Sequence, residues 1–220
     1  SRRGKKRPTP EPLKALSNGL RVLAILDQSG GESSVSKIAS ELGMTRGGVW
    51  RILNTLKEFG YVEQRADGAS YAITLQLWEM GVRMLNRVGL REIARPYLEQ
   101  LTERVGEPVH LAVLSQGEAL YMDKTNGTQP TQVYLYIGMR VPLHATGSGK
   151  VFLAFDSGIE KALMLDSRPL QAFTEATITD RESLAEALKK VRAQGYAESR
   201  GEYRVQVQSI AAPIYNHERL

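Results

Sequence analysis

The chain contains no cysteine, which excludes disulfides, thiolate-ligated metals and thiol nucleophiles. Its three histidines, His110, His144 and His217, stand in no HExxH pair and beside no nucleophile elbow. No catalytic residue, metal site or cofactor is therefore expected. Long apolar runs are also missing. No stretch approaches the roughly 18 residues needed to span a bilayer, and the basic N-terminus leads into no signal-type segment. A cytoplasmic protein with no membrane partner is the expectation. What remains is an ordinary mixture, 42% hydrophobic and 24% charged over 220 residues. That is enough apolar material for one large domain or two modest ones.

Charge is unevenly spread. Residues 1–91 hold 15 Lys/Arg against 8 Asp/Glu, and residues 92–220 hold 14 against 16. The first part alone suits a polyanion partner. A basic, proline-punctuated arm (1–13, with Arg2, Arg3, Lys5, Lys6 and Arg7) carries five of those cations, so charge by itself leaves nucleic acid an open question.

Beyond the arm, Leu13, Leu16, Leu20 and Leu23, with Val22, Ile25 and Leu26 alongside, predict a mostly buried helix. The segment QSGGESS breaks it. Two short amphipathic patterns follow, Val35, Ile38, Ala39, Leu42 and then Val49, Ile52, Leu53, Leu56. Gly43 between them suits a left-handed helix end, and Thr45 suits the next N-cap. This is a helix-turn-helix pattern. YVEQR and SYAIT around Asp67-Gly68 then predict a hairpin where a wing belongs.

Further on, helical spacing resumes at 75–88 and again from Leu90 to Val105, with a kink or restart expected near Arg95 because Pro96 follows it. Strands are expected at 109–114, 119–124, 133–137 and 207–215, and a strand end is expected near His144. Helices are expected from about Gly147, near 159–166 and at 181–193. The expected organisation is a winged helix-turn-helix domain (14–76), a linking helix (77–90) and an α+β domain (91–220).

With Val49, Ile52, Leu53 and Leu56 turned inward, the opposite face of the second helix carries Arg46, Gly47, Trp50, Arg51 and Asn54. A recognition helix needs such a stripe, with side chains that reach base edges and small residues that permit close approach. Thr45 and the helix start suit a phosphate. Charged residues opposite an apolar stripe also describe any surface helix. The ordered set of buried helix, helix-turn-helix, hairpin and basic arm favours double-stranded DNA.

These segments together, LKALSNGLRVLAILD, VSKIASELGMTRGGVWRILNTLKEFGYV and YAITLQLWEMG, resemble the N-terminal domain of the IclR family of bacterial regulators. PLHATGSGKVFLAF and GEYRVQVQSIAAPIYNHE resemble that family's GAF-like α+β effector-binding domain. The resemblance implies a homodimer or homotetramer that binds palindromic operators and responds to a small-molecule effector, often acidic or aromatic. By match to the family's motifs, Gly147, Ser148, Ser199, Val207 and Ser209 fall on effector-binding positions. The family usually continues past the position of Leu220 through another strand and helix, so the C-terminal end of the domain is expected to be incomplete.

Read physically, small residues from Ala145 to Gly149 at a helix start leave backbone N–H groups open to a carboxylate. A structural turn with no ligand is the alternative. A phosphate loop is excluded, because His144 and Val151 occupy positions where it needs glycine and Ser/Thr. Acidic residues are common in the family after the Gly-Tyr that here is Gly195-Tyr196, where this chain reads Ala197-Glu198-Ser199-Arg200. Arg200 and Arg204 would lend the pocket edge a positive charge or lie on the surface. Two other functions stay open at this point: a sensory protein whose winged helix contacts protein, and a small-molecule enzyme.

Overall fold

A computed structural model of the chain describes residues 11–128 and 135–215, with the backbone alone at 85–88. Most of the basic arm, the start of the strand expected at 133–137 and His217 lie outside the described residues. The chain divides into two compact units, Ser1–Val88 and Gly89–Leu220.

The first unit runs α1 (Lys14–Gln28), β1 (Glu32–Ser34), α2 (Val35–Leu42), α3 (Arg46–Glu58), β2 (Val62–Gln64), β3 (Ser70–Ile73) and α4 (Gln76–Val88). The Ser34 side chain accepts the Lys37 N–H at 3.3 Å to start α2, and Gly43 ends it at φ 62°. Thr45 then caps α3 by accepting the Gly48 N–H at 3.2 Å. Val22, Leu26, Ile38, Val49, Leu53 and Tyr71 form the core of this unit. The expected hairpin is present as β2 and β3.

Two expectations change here. α1 is not mostly buried. Val22, Ile25 and Leu26 are, whereas Leu13, Leu16 and Leu20 are exposed. α2, α3 and β3 pack against one stripe of α1, and the described residues leave the other open. The QSGGESS break also contains a strand. β1 is the outer strand of a sheet ordered β1-β3-β2, all antiparallel, with Glu32 opposite Ala72 and Ser33 opposite Tyr71.

The second unit runs α5 (Leu90–Val105), β4 (Val109–Ser115), β5 (Glu118–Thr125), β6 (Arg140–Val141), α6 (Gly147–Phe155), α7 (Ser157–Leu165), α8 (Arg181–Gln194), β7 (Ala197–Arg200) and β8 (Gln208–Ala211). β4, β5 and β6 form an antiparallel meander, and β7 and β8 a separate hairpin. Val141, Leu143, Val151, Leu153, Leu184, Leu188 and Ala197 make the main core, with α6 packed between α8 and the β7–β8 pair.

Several details differ from the sequence expectation. α5 runs unbroken through Pro96. The proline removes one N–H from the helix ladder, but the helix is held from outside. Ala94 and Leu98 pack with Leu111, and Arg95 is anchored to Asp123 on β5 and to Glu99. Leu135–Ile137 is not a strand. The chain turns at Ile137-Gly138, where Gly138 adopts φ 92°, and the short β6 pairs with β5 instead. β6 ends at Val141, and His144 lies in the turn that follows. The late strand is confined to Gln208–Ala211.

Candidate nucleic-acid interface and ligand turn

α3 buries Val49 and Leu53 and leaves Arg46, Gly47, Trp50 and Arg51 exposed, with Asn54 half-buried. Neither Arg46 nor Arg51 forms an ion pair among the described residues. Both guanidiniums keep their fork of donors for an outside acceptor. A Cβ at Gly47 would meet open space, so the helix start presents bare backbone. The exposed Thr45 hydroxyl uses its oxygen as the cap and keeps its proton free to donate. Trp50 is 53% exposed, a large apolar surface on a polar face.

The wing is different in character. Its single cation, Arg65, is held by Glu32 at 3.0 Å and Glu63 at 2.7 Å. At the tip, Asp67 accepts the N–H groups of Ala69 and Ser70 at 2.9 and 3.1 Å, which hold its carboxyl below the usual range. The wing therefore offers no unpaired positive charge among the described residues, whereas Arg46 and Arg51 on α3 are free of ion pairs there.

In the second unit, Thr146 caps α6. It accepts the Gly149 N–H at 3.1 Å and donates to the Pro142 carbonyl at 2.9 Å. A Cβ on Gly149 would fall on the Leu143 backbone, 2.7 Å from its carbonyl carbon, so only glycine fits. Gly147 packs on β8: its Cβ would lie 3.0 Å from Ser209 Oγ and 3.5 Å from Ala211 Cβ. The Ser148 hydroxyl lies 3.4 Å from that of Tyr121. The N–H groups of Gly147 and Ser148 open the helix and have no partner within it.

The structure thus brings Gly147, Ser148 and Ser209 together around the start of α6. Ser199 is buried, and its hydroxyl donates to the Ala145 carbonyl at 3.2 Å, which ties β7 to the same turn. Val207 sits where the chain enters β8. Its N–H donates to the Arg204 carbonyl at 2.9 Å, and its own carbonyl accepts the Gly201 N–H at 2.9 Å. Arg200 is exposed and paired with Glu198 at 2.9 Å, and the Arg204 guanidinium lies over the Tyr203 ring at 5.8 Å.

Tyr121, which the sequence reading passed over, belongs with this turn. Burial and the nearby Tyr203 raise its phenol above the ordinary value, against a smaller lowering by Ser148. It stands as a protonated donor. The His110 ring lies 5.1 Å from it, and burial, then Lys124, lower that imidazole. Lys150, two residues beyond Ser148, makes a buried 2.6 Å ion pair with Glu202 that ties α6 to the β7–β8 loop. The available signal was a tyrosine inside an apolar run, which reads equally as core.

Two family models match the chain. The IclR helix-turn-helix domain matches residues 15–66, and the bacterial transcriptional regulator IclR C-terminal domain matches 82–220. Among curated proteins, the transcriptional regulator XynR of Escherichia coli K12 is 31% identical over 94% of this chain and 82% of its own length. KipR of Bacillus subtilis 168 is 34% identical over 84% and 74%. Among solved structures, the Thermotoga maritima IclR is 31% identical with a TM-score of 0.71, covering 93% of this chain and 82% of that one. An IclR homologue from Microbacterium hydrocarbonoxydans, complexed with 4-hydroxybenzoate, is 26% identical with a TM-score of 0.82, covering 94% and 85%.

Proposed function

The chain belongs to the IclR family of bacterial transcriptional regulators, and from that premise we propose how its own residues read DNA and sense a ligand. It is a DNA-binding regulator with an effector-binding domain, and its curated relatives are regulators rather than enzymes. Thr45, Arg46, Gly47, Trp50, Arg51 and Asn54 form the surface that enters the major groove, Arg toward guanine edges and Thr45 toward a phosphate. The observation that carries this reading is the capped start of α3 with two exposed arginines free of ion pairs among the described residues.

Gly147, Ser148, Ser199, Val207 and Ser209 form the effector site, which takes a small acidic or aromatic metabolite. Open helix-start N–H groups suit a carboxylate, and the protonated Tyr121 phenol adds a donor. The relative's 4-hydroxybenzoate is both acid and aromatic. The protein acts in the cytoplasm as a homodimer or homotetramer. Leu16 and Leu20 on α1 and Trp78 and Met84 on α4 are exposed and supply apolar area for a second copy. Effector binding then shifts operator affinity by its different affinity for two arrangements of the DNA-binding domains, a coupling of about 1–3 kcal/mol.

The test is a thermal-shift screen of small carboxylates, 4-hydroxybenzoate included, followed by DNA-binding titrations across salt. A true effector at 100 times its Kd adds about 2.7 kcal/mol of stability. Each phosphate contact steepens the log–log salt slope by about 0.9. A flat salt response would favour a protein-binding winged helix. A screen in which no carboxylate stabilises the protein would remove the acidic-effector reading.

A further inference from the structure

β5 touches two different helices through neighbouring side chains. The Tyr121 hydroxyl meets Ser148 at the start of α6. Asp123 meets α5: Arg91 Nε lies 3.2 Å from one carboxylate oxygen, and an Arg95 guanidinium N–H donates to the other at 3.1 Å. Arg95 also donates to the Lys124 carbonyl at 3.1 Å, and Thr102 near the end of α5 hydrogen-bonds Thr125.

In regular pairing, residues two apart share one face of a sheet. Here Leu111 on β4 opposes Asp123 while the next residue, Ala112, opposes Tyr121, which leaves Met122 as an extra residue. Such a bulge re-aims the side chains beyond it. It accounts for Tyr121 reaching α6 while Asp123 and Thr125 reach α5. Asp123 is fully buried, where an unpaired carboxylate is costly. Its position therefore depends on Arg91 and Arg95, and theirs on it. α5 is also the first helix after Gly89, which adopts φ 64° directly after α4.

We propose that β5 is the element that carries occupancy of the ligand turn to the first two turns of α5, with Asp123 as its positioning residue. The proposal rests on Ser148 belonging to the ligand turn. A ligand that displaces the Tyr121 hydroxyl loads the bulge on one side, and the Asp123 carboxylate that fixes Arg91 and Arg95 moves on the other.

The test needs no ligand. Hydrogen exchange of the full chain is followed by mass spectrometry over 90–98 in wild type, Tyr121→Leu, Asp123→Asn and the double variant. Arg192→Met, which breaks the contact of α8 with Glu160 on α7 in the same unit without touching β5, is the control. Tyr121→Leu, which touches no residue of α5 by hydrogen bond, should speed exchange at 90–98 about tenfold, and Arg192→Met should not. In the Asp123→Asn background the Tyr121 change should add nothing, because the link is already cut. Wild-type exchange at 90–98 in Tyr121→Leu, or two effects that simply multiply, overturns the proposal. If Asp123→Asn does not fold, Arg91→Met with Arg95→Met provides the same background. A failed effector screen leaves this exchange pattern unchanged, so the two ideas fail separately.

Discussion

The Thr45 hydroxyl and the Gly48 N–H lie 3.2 Å apart, and this bond fixes the residue at which α3 begins. The whole exposed stripe is counted from that point. Thr45→Ala should cost about 1 kcal/mol of stability, whereas Thr45→Ser keeps an acceptor and should stay near wild type. Urea unfolding followed by circular dichroism measures both.

Arg46 and Arg51 are exposed and make no ion pair among the described residues, so neither supports the fold. Arg46→Ala and Arg51→Ala should each remove about 1–3 kcal/mol of operator affinity and leave the melting temperature in place. Gel-shift titration at fixed salt is the measurement. Undiminished binding in both variants would move the reading helix elsewhere.

Crowding the ligand turn should separate sensing from DNA binding. Ser148→Phe or Ser209→Phe should hold operator affinity near wild type without ligand and abolish the ligand-induced change, a coupling of about 1–3 kcal/mol. Titration of each variant with any compound that stabilises the wild type checks this. Variants that fold and respond at wild-type concentrations place the pocket away from these residues.

The two tight glycines of α6 should behave unequally. Gly149→Ala drives a methyl into the Leu143 backbone, which cannot yield cheaply, and should cost at least the 1–3 kcal/mol typical of overpacking. Gly147→Ala meets chiefly the Ser209 hydroxyl at 3.0 Å, and that side chain can rotate. The smaller loss belongs to Gly147→Ala, and chemical denaturation of the pair gives the order.

Burial alone would raise the Asp123 carboxyl. Arg91, the Lys124 N–H and Arg95 outweigh it and hold the group below its ordinary value. A carboxylate lowered on folding contributes stability that is complete above its unfolded value, about 3.9, and fades as pH falls through the folded value. The stability difference between wild type and Asp123→Asn should therefore be constant near neutrality and shrink below about pH 4. Denaturation midpoints across pH test the sign.

The helix-turn-helix was legible because its signals are local. Period 3.6 sets the buried faces of α2 and α3, Gly43 closes one helix and Thr45 opens the next. β1 was hidden because Glu32-Ser33-Ser34 carries no apolar alternation, and its place comes from pairing with residues far along the chain. At the proposed ligand turn, the place of Gly147 and Ser148 at the start of α6 was readable from motif, and that of Tyr121 beside them was not. Asp123 was hidden for the opposite reason: an acid beside Lys124 reads as strand end and solvent. Arg91 and Arg95 likewise read as the wet side of a helix. Only the fold shows the three groups meeting. Pro96 misled because the rule for prolines is local, while α5 is held from outside by β4 and β5.

The β1–β3 pairing has a consequence for how the first unit assembles. Glu32 and Ala72 are forty positions apart in the chain and face each other in the sheet. The loop they close holds α2, α3 and the tip of the wing. Closing it early would restrict a long flexible segment for three short pairs, an unfavourable entropic exchange. Once α2 and α3 have condensed on α1, the ends are already near, and the strand completes the unit in a late step. Weakening β1 should therefore accelerate unfolding and leave the folding rate almost untouched.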